Sequence, residues 1–221
     1  MPSPLRIGLL GGTGIEGKGL ALRFAHARAS VILGSRSRER AAAVAQELNQ
    51  RLGRESIQPA ENREMLSQSD LVLLTVPFAQ AAEALDTYRN DFRPGLTIVD
   101  ATVPVKSKTS PGPGDLPEGS GSQFLAKHLP EGVHLVGAFK TIPAHILAEL
   151  EVPLDCDAFV CGDSEPDKAR VMEAIRLIPG LRPVDVGGLD AAATLERMTA
   201  LAIRINRRYK LKGARFRVVG L

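Results

Sequence analysis

The chain has 221 residues, enough for one domain or for one domain with a small partner. With 44% hydrophobic and 24% charged residues it is not a disordered chain, and it has apolar mass for a real core. The net charge of +3 hides an asymmetry: the eight bases after Glu196 face no acid, while the first 196 residues hold 20 bases and 25 acids. That distribution points either to an anionic ligand or to a solvated face on a terminal helix.

No apolar run reaches the length of a bilayer span, so no membrane association is expected. The start, Met1-Pro2-Ser3-Pro4, lacks a basic region followed by an apolar one. Cys156 and Cys161 are too few for a disulfide framework, so a cytoplasmic setting is expected.

In chain order, Leu5–Leu10 reads as a buried strand, Gly17–Arg28 as a helix and Ser30–Gly34 as a second strand. Arg38–Leu52 is Ala-rich and helical, with Val44 and Leu48 four apart. Leu71–Val76 is apolar except for Thr75, as in a strand covered on both faces. Ala79–Tyr88 reads as a helix and Leu96–Asp100 as a strand. Val105–Ser122 is so rich in glycine and proline that it must be a loop. Order returns at Gln123–His128, followed by a strand at Val133–Phe139 and a short helix from Pro143 to Leu150. An apolar run at Ala158–Cys161 precedes helices at Pro166–Ile178 and Asp190–Asn206. The alternation predicts an α/β fold: a Rossmann-type doubly wound parallel sheet with a small C-terminal α/β domain. The expected division is 1–145 and 146–221.

The sharpest motif is Gly12-x-Gly14-x-x-Gly17, in Gly11-Gly12-Thr13-Gly14-Ile15-Glu16-Gly17. A strand before it and a helix after it make it a dinucleotide loop rather than an ordinary turn. Gly12 is expected to make the tight turn and Gly14 to admit a pyrophosphate. Gly17 should let the helix pack on the sheet. Thr13, Ile15 and Glu16 complete the candidate phosphate site at a helix N-terminus.

After the second strand, an NAD site places an acid on the ribose hydroxyls. This chain has Ser35-Arg36 instead, with Arg40 one helical turn on. A guanidinium and a hydroxyl suit a 2′-phosphate, so NADP(H) is the expected dinucleotide. Val76-Pro77 ends the apolar strand at the edge where this fold binds ligands. It is the candidate contact to ribose or nicotinamide; for Phe78 a purely structural turn is the competing reading.

These segments, in order with Thr141-Ile142-Pro143-Ala144, Val160-Cys161-Gly162-Asp163 and Gly180-Leu181-Arg182-Pro183-Val184-Asp185, resemble the NADPH-dependent coenzyme F420 reductases over nearly the whole chain. The resemblance implies a homodimer and hydride exchange between nicotinamide C4 and deazaflavin C5 of coenzyme F420. It implies that Lys140, Thr141, Ile142 and Pro143 border the meeting of the two rings, with Ala144 on the cofactor side. The family pattern has histidine where this chain has Lys140, whose ammonium could meet the deazaflavin. Arg207 and Arg208, in the acid-free stretch, would attract the anionic tail of F420. Hydride transfer asks for orientation and exclusion of water rather than a triad. The partners are therefore small molecules, and the terminal bases lack any nucleic-acid motif. The same scaffold could serve another acceptor, such as a flavin, a ferric chelate or a small carbonyl compound, or sense NADPH without turnover.

Overall fold

A computed structural model describes residues 5–105, 112 and 114–221. Six strands form one parallel sheet: β1 (Arg6–Leu10), β2 (Ser30–Ser35), β3 (Ile57–Glu61), β4 (Leu71–Leu74), β5 (Thr97–Asp100) and β6 (His134–Gly137). Their order is β3-β2-β1-β4-β5-β6, a doubly wound sheet whose direction of winding reverses between β1 and β4. A second parallel pair, β7 (Cys156–Val160) and β8 (Leu181–Asp185), joins it through one antiparallel bridge between Gly137 and Cys161. Among the described residues, eight α-helices cover the sheets: α1 (Ile15–His26), α2 (Arg38–Leu52), α3 (Asn62–Gln68), α4 (Phe78–Thr87), α5 (Gly121–Ala126), α6 (Ala144–Leu147), α7 (Glu165–Arg176) and α8 (Ala192–Tyr209). No described helix is long and apolar enough to cross a membrane.

Strand side chains alternate between two apolar layers, as the two-residue period requires. Ile7, Leu9, Val31, Leu33, Leu71 and Leu73 enter the layer under α1, α2 and α7. Leu10, Ile32, Val72 and Leu74 enter the layer under α3, α4, α5 and α8. Each layer draws residues from both sides of the expected 145/146 division, which itself falls inside α6.

Two strands and one helix went unread in the sequence. β3 and β8 carry Pro59 and Pro183, which cannot donate to a ladder and so mask a strand. Each strand lies at the edge of its sheet, where proline is tolerated. Leu71–Leu74 is consequently the fourth strand, not the third. α3 has only seven residues, too short for a clear helical period. The helix expected from Gly17 begins two residues earlier, at Ile15. Of the expected Val105–Ser122 loop, residues 106–111 and 113 lie outside the described residues. Ser120 and Gly121 close it, the Ser120 hydroxyl capping α5 by accepting from the Gln123 N–H.

α1 is tied to the segment after β6 by one side chain. The Arg23 guanidinium, buried at 5% exposure, donates to the carbonyls of Ile146, Leu147, Glu149 and Val152. It thereby supplies donors to the open C-terminal end of α6. Arg23→Met keeps the apolar stem and removes every donor. It should destabilise the protein by about 1.5–3 kcal/mol, the range for hydrogen bonds to a charged group, as measured by urea denaturation.

Candidate active site

The glycine loop sits at the C-terminal edge of β1, and Gly11 joins the three expected glycines in it. Gly11 takes φ +86°, and Gly12 lies in the turn closed by the Gly14 N–H on the Gly11 carbonyl. A Cβ at Gly11 would come within 2.5 Å of the Val76 side chain. Gly12 also packs beneath α1, where a Cβ would meet Leu33 and Leu9 at 3.0 Å. Gly17 behaves as expected: its Cβ would lie 2.7 Å from the Gly12 Cα, so only glycine lets α1 lie this close to the sheet. Gly14 differs from all three. A Cβ there would find only ordinary contacts, at 3.5 and 3.8 Å. Protein packing does not demand glycine at that position, which leaves close approach by a ligand as its reason. Gly14 is also the N-cap of α1 and supplies no side-chain hydrogen bond. The first-turn N–H groups and the positive end of the helix therefore lie open to an anion.

A cavity of about 540 Å³ opens in front of this loop. Thr13 and Gly14 after β1, Val76 and Pro77 after β4, and Ser35, Arg36 and Arg40 after β2 line it. Seven expected cofactor residues thus line one cavity. Gly12, Glu16, Gly17 and Ala144 are not on it, nor is Ile15, which stands 74% exposed. Arg36 and Arg40 are exposed, and among the described residues neither guanidinium has a hydrogen bond or ion pair. Arg38 between them turns away to Glu64. Ser37 caps α2 by accepting from the Arg40 N–H, which fixes the helix start that presents Arg36 and Arg40 together.

Asn62 and Tyr88 also line the cavity and were not anticipated. The Asn62 amide donates to the Tyr88 hydroxyl at 2.9 Å. They come from α3 and from the end of α4, and nothing in the local sequence marks either.

Past β6, Phe139 adopts φ +62°, costly for a side chain with a Cβ. The buried Phe139 ring meets Phe24 of α1 edge to face, which holds the bend. The bend turns Lys140 inward. The ammonium expected to face an acceptor ring is only 1% exposed in its side chain and points into the protein. Its Nζ donates to Asp100 Oδ2 at 2.7 Å and to the Thr102 carbonyl, and lies 3.8 Å from Glu196. Thr141 and Ile142 are buried behind it; Pro143 and Ala144 reach partial exposure at the start of α6.

Asp100 and Glu196 were missed. Asp100 ends an apolar strand at the ligand-binding edge, a signal that was available. Glu196, the last acid of the chain, lies on an amphipathic helix and gave no such signal. Asp100 accepts from the Thr102 N–H and hydroxyl on one oxygen, and from Ser122 and Lys140 on the other. Glu196 accepts from the N–H groups of Gly121 and Ser122, capping α5. Burial raises the Glu196 carboxyl above its ordinary pKa, with Lys140 pulling the other way.

Glu16, in the first turn of α1, couples electrostatically to the same cluster. Desolvation pushes its carboxyl up to about 8; Lys140 opposes the rise and Asp100 adds to it. Glu16 retains some solvent-accessible surface, but the surrounding chain accounts for that desolvation. Among the described residues it makes no hydrogen bond. Cys161, beside Lys140 and Asp100, is pushed up to about 11 by burial and is no nucleophile.

Arg207 and Arg208 lie exposed in the last turn of α8, and the cavity does not include them. Two other terminal bases have structural partners: Arg215 donates to the Pro153 carbonyl and Arg217 pairs with Asp155.

Residues 6–104 match the family described as NADP oxidoreductase, coenzyme F420-dependent. An F420-dependent NADP reductase of Methanothermobacter thermautotrophicus is 36% identical, covering 98% of this chain and 96% of that protein. The protein of the same name from Methanocaldococcus jannaschii is 32% identical over 98% and 99%. The solved structure of a candidate F420-dependent NADP reductase from Arthrobacter sp. FB24 superposes with a TM-score of 0.78 at 19% identity, over 98% of this chain and 100% of that one. This last likeness speaks to the fold alone.

Removing the one ammonium that faces Asp100 and Glu196 should be costly. Lys140→Met is expected to lose about 3–5 kcal/mol of stability, the range for breaking a buried ion pair from one side. Urea denaturation at neutral pH would measure it.

Proposed function

The chain belongs to the F420-dependent NADP reductase family, and on that premise we propose that it exchanges a hydride between NADP(H) and coenzyme F420. The observation that carries the dinucleotide half is the pair of unpaired guanidinia, Arg36 and Arg40, beside Ser35 at the end of β2. Two cations and a hydroxyl fit a dianionic 2′-phosphate, and no acid stands there to hold a free ribose diol. The open N-terminus of α1, with Gly14 leaving room, takes the pyrophosphate. Val76 and Pro77, at the end of β4, lie where the cofactor crosses to its nicotinamide half.

When both are bound, the nicotinamide and the deazaflavin supply the redox chemistry, so the protein's task is to hold two flat rings in contact and keep water out. Thr141, Ile142, Pro143 and Ala144 border the second ring in this reading. Lys140 is a positioning residue: its bonds to Asp100 and the Thr102 carbonyl fix the start of that segment. Arg207 and Arg208 act at longer range on the anionic tail of F420, an attraction that salt should weaken. A homodimer fits α8, whose Leu201 and Ile203 stand 48% and 42% exposed. A cytoplasmic setting fits two buried, unpaired cysteines.

Arg36→Ala should weaken NADPH binding by about 1.5–3 kcal/mol, the range for a charge-assisted hydrogen bond, and leave NADH nearly unchanged. Titrating both cofactors against the variant checks this; equal losses would contradict the 2′-phosphate assignment. For the second substrate, NADPH should bleach the visible absorbance of F420 in the presence of the protein. NADPH binding without F420 reduction would reject the acceptor while sparing the cofactor.

A further inference from the structure

Asn62 and Tyr88 line the cavity beside the cationic pair, and strand register places them there. β3 runs along β2 with Glu61 opposite Ser35, so Asn62 and Arg36 are the next residues on two neighbouring strands. The Asn62 side chain leans back over β2: a Cβ built on Gly34 would lie 2.8 Å from its Oδ1. The pair therefore adjoins the Ser35-Arg36 segment, where the cofactor reading puts the 2′-phosphate and the adenosine ribose that carries it.

The hydrogen bonding of this pair is incomplete on one side. Asn62 is only 5% exposed, and its amide N–H donates to the Tyr88 oxygen at 2.9 Å. The buried Asn62 Oδ1 accepts from nothing among the described residues, so the pair is tied to no cap and no strand. A phenol has one proton to give. Among the described residues the Tyr88 hydroxyl gives it to nothing. With its oxygen engaged by Asn62, the hydroxyl faces the cavity as a donor. The ring is held in place by the Arg63 guanidinium, 5.6 Å from its centre and itself paired with Asp91. Gln80, Ala84 and Thr87, spaced four and three apart, turn one face of α4 to the same cavity.

We propose that Tyr88, oriented by Asn62, reads the adenine ring of the dinucleotide by donating a hydrogen bond to its N1. This rests on the cofactor reading above. The base hangs from the ribose through N9. N1 lies on the opposite edge, which reaches furthest from a 2′-phosphate held by Arg36 and Arg40. Adenine N1 is an acceptor, whereas hypoxanthine N1 carries a proton. A hydroxyl fixed as a donor pairs with the first and meets a second donor in the other. Asn62 is a positioning residue, since it acts through the hydroxyl whose role it sets.

The test compares dissociation constants, by fluorescence titration, for NADPH and for its analogue with hypoxanthine in place of adenine. The two ligands share the 2′-phosphate, the pyrophosphate and the nicotinamide, so their ratio isolates the base. The wild type should prefer NADPH by about tenfold, the effect of one hydrogen bond lost with its donor left unpaired. Tyr88→Phe should weaken NADPH by about the same factor and bind both dinucleotides alike. Asn62→Asp should invert the preference: its carboxylate takes the phenol proton and leaves the ligand only lone pairs, which suit the hypoxanthine N1–H. A merely structural pair would not invert it. NADPH binding with equal affinity for the analogue overturns the inference and spares the cofactor reading. So does a preference for NADPH that survives Tyr88→Phe, or an Asn62→Asp ratio equal to that of the wild type. A wild-type preference for the hypoxanthine form also overturns it, because the amide would then be turned over with its oxygen accepting from Tyr88. A wild type that binds neither dinucleotide rejects the cofactor reading and this inference together.

Discussion

The Lys140 ammonium joins elements that stand far apart in the chain. It ties the end of β5 to the turn after β6 through Asp100 and Thr102, and it lies beside Glu196 of α8, which caps α5. A buried charge is stable only when its partners are held at fixed distance, so each of these elements constrains the others. The strained φ of Phe139 persists because this ion cluster lies on one side of it and the Phe24 ring on the other. The same bend delivers Thr141–Ala144 to the ligand edge of the sheet. A cluster of this kind sets position more than it adds net stability, since desolvation cancels much of the attraction.

The glycine loop imposes a second constraint, through backbone approach rather than charge. The contact between Gly17 and Gly12 brings α1 down onto the sheet, and Arg23 of the same helix clasps the carbonyls around the end of α6. One helix therefore meets both the glycine loop and the segment after β6.

The sequence made the Rossmann half legible because its strands are apolar runs with glycine or polar residues at their ends, and because Ser35-Arg36 is a local signal. The motif spacing located the turn at Gly12 but did not show which residue takes positive φ beside it, which is Gly11. β3 and β8 were hidden by Pro59 and Pro183, which local rules read as breakers although an edge strand accepts them. The buried cluster was illegible for a different reason. Asp100, Lys140 and Glu196 stand far apart in the chain, and neither the strand end at Asp100 nor the expected ligand-facing place of Lys140 points to the other two. Only the fold brings them together in the interior, and it turned Lys140 from a residue facing the cleft into one facing Asp100.

The charge asymmetry of the chain takes on a physical layout once folded. Positive charge stands free at the cavity on Arg36 and Arg40, while Asp100 and Glu196 lie buried around one ammonium outside the cavity lining. The basic terminus is less uniform than its composition implied. Arg215 and Arg217 are spent on holding the C-terminal segment, as is Arg182, which reaches the carbonyls of Val218 and Leu221 while gripping Asp157. What remains free for an anion is the end of α8, with Arg207 and Arg208, on the helix whose first half buries Glu196. That single helix thus carries an anchor for the inner cluster in its first half and a cationic surface at its end.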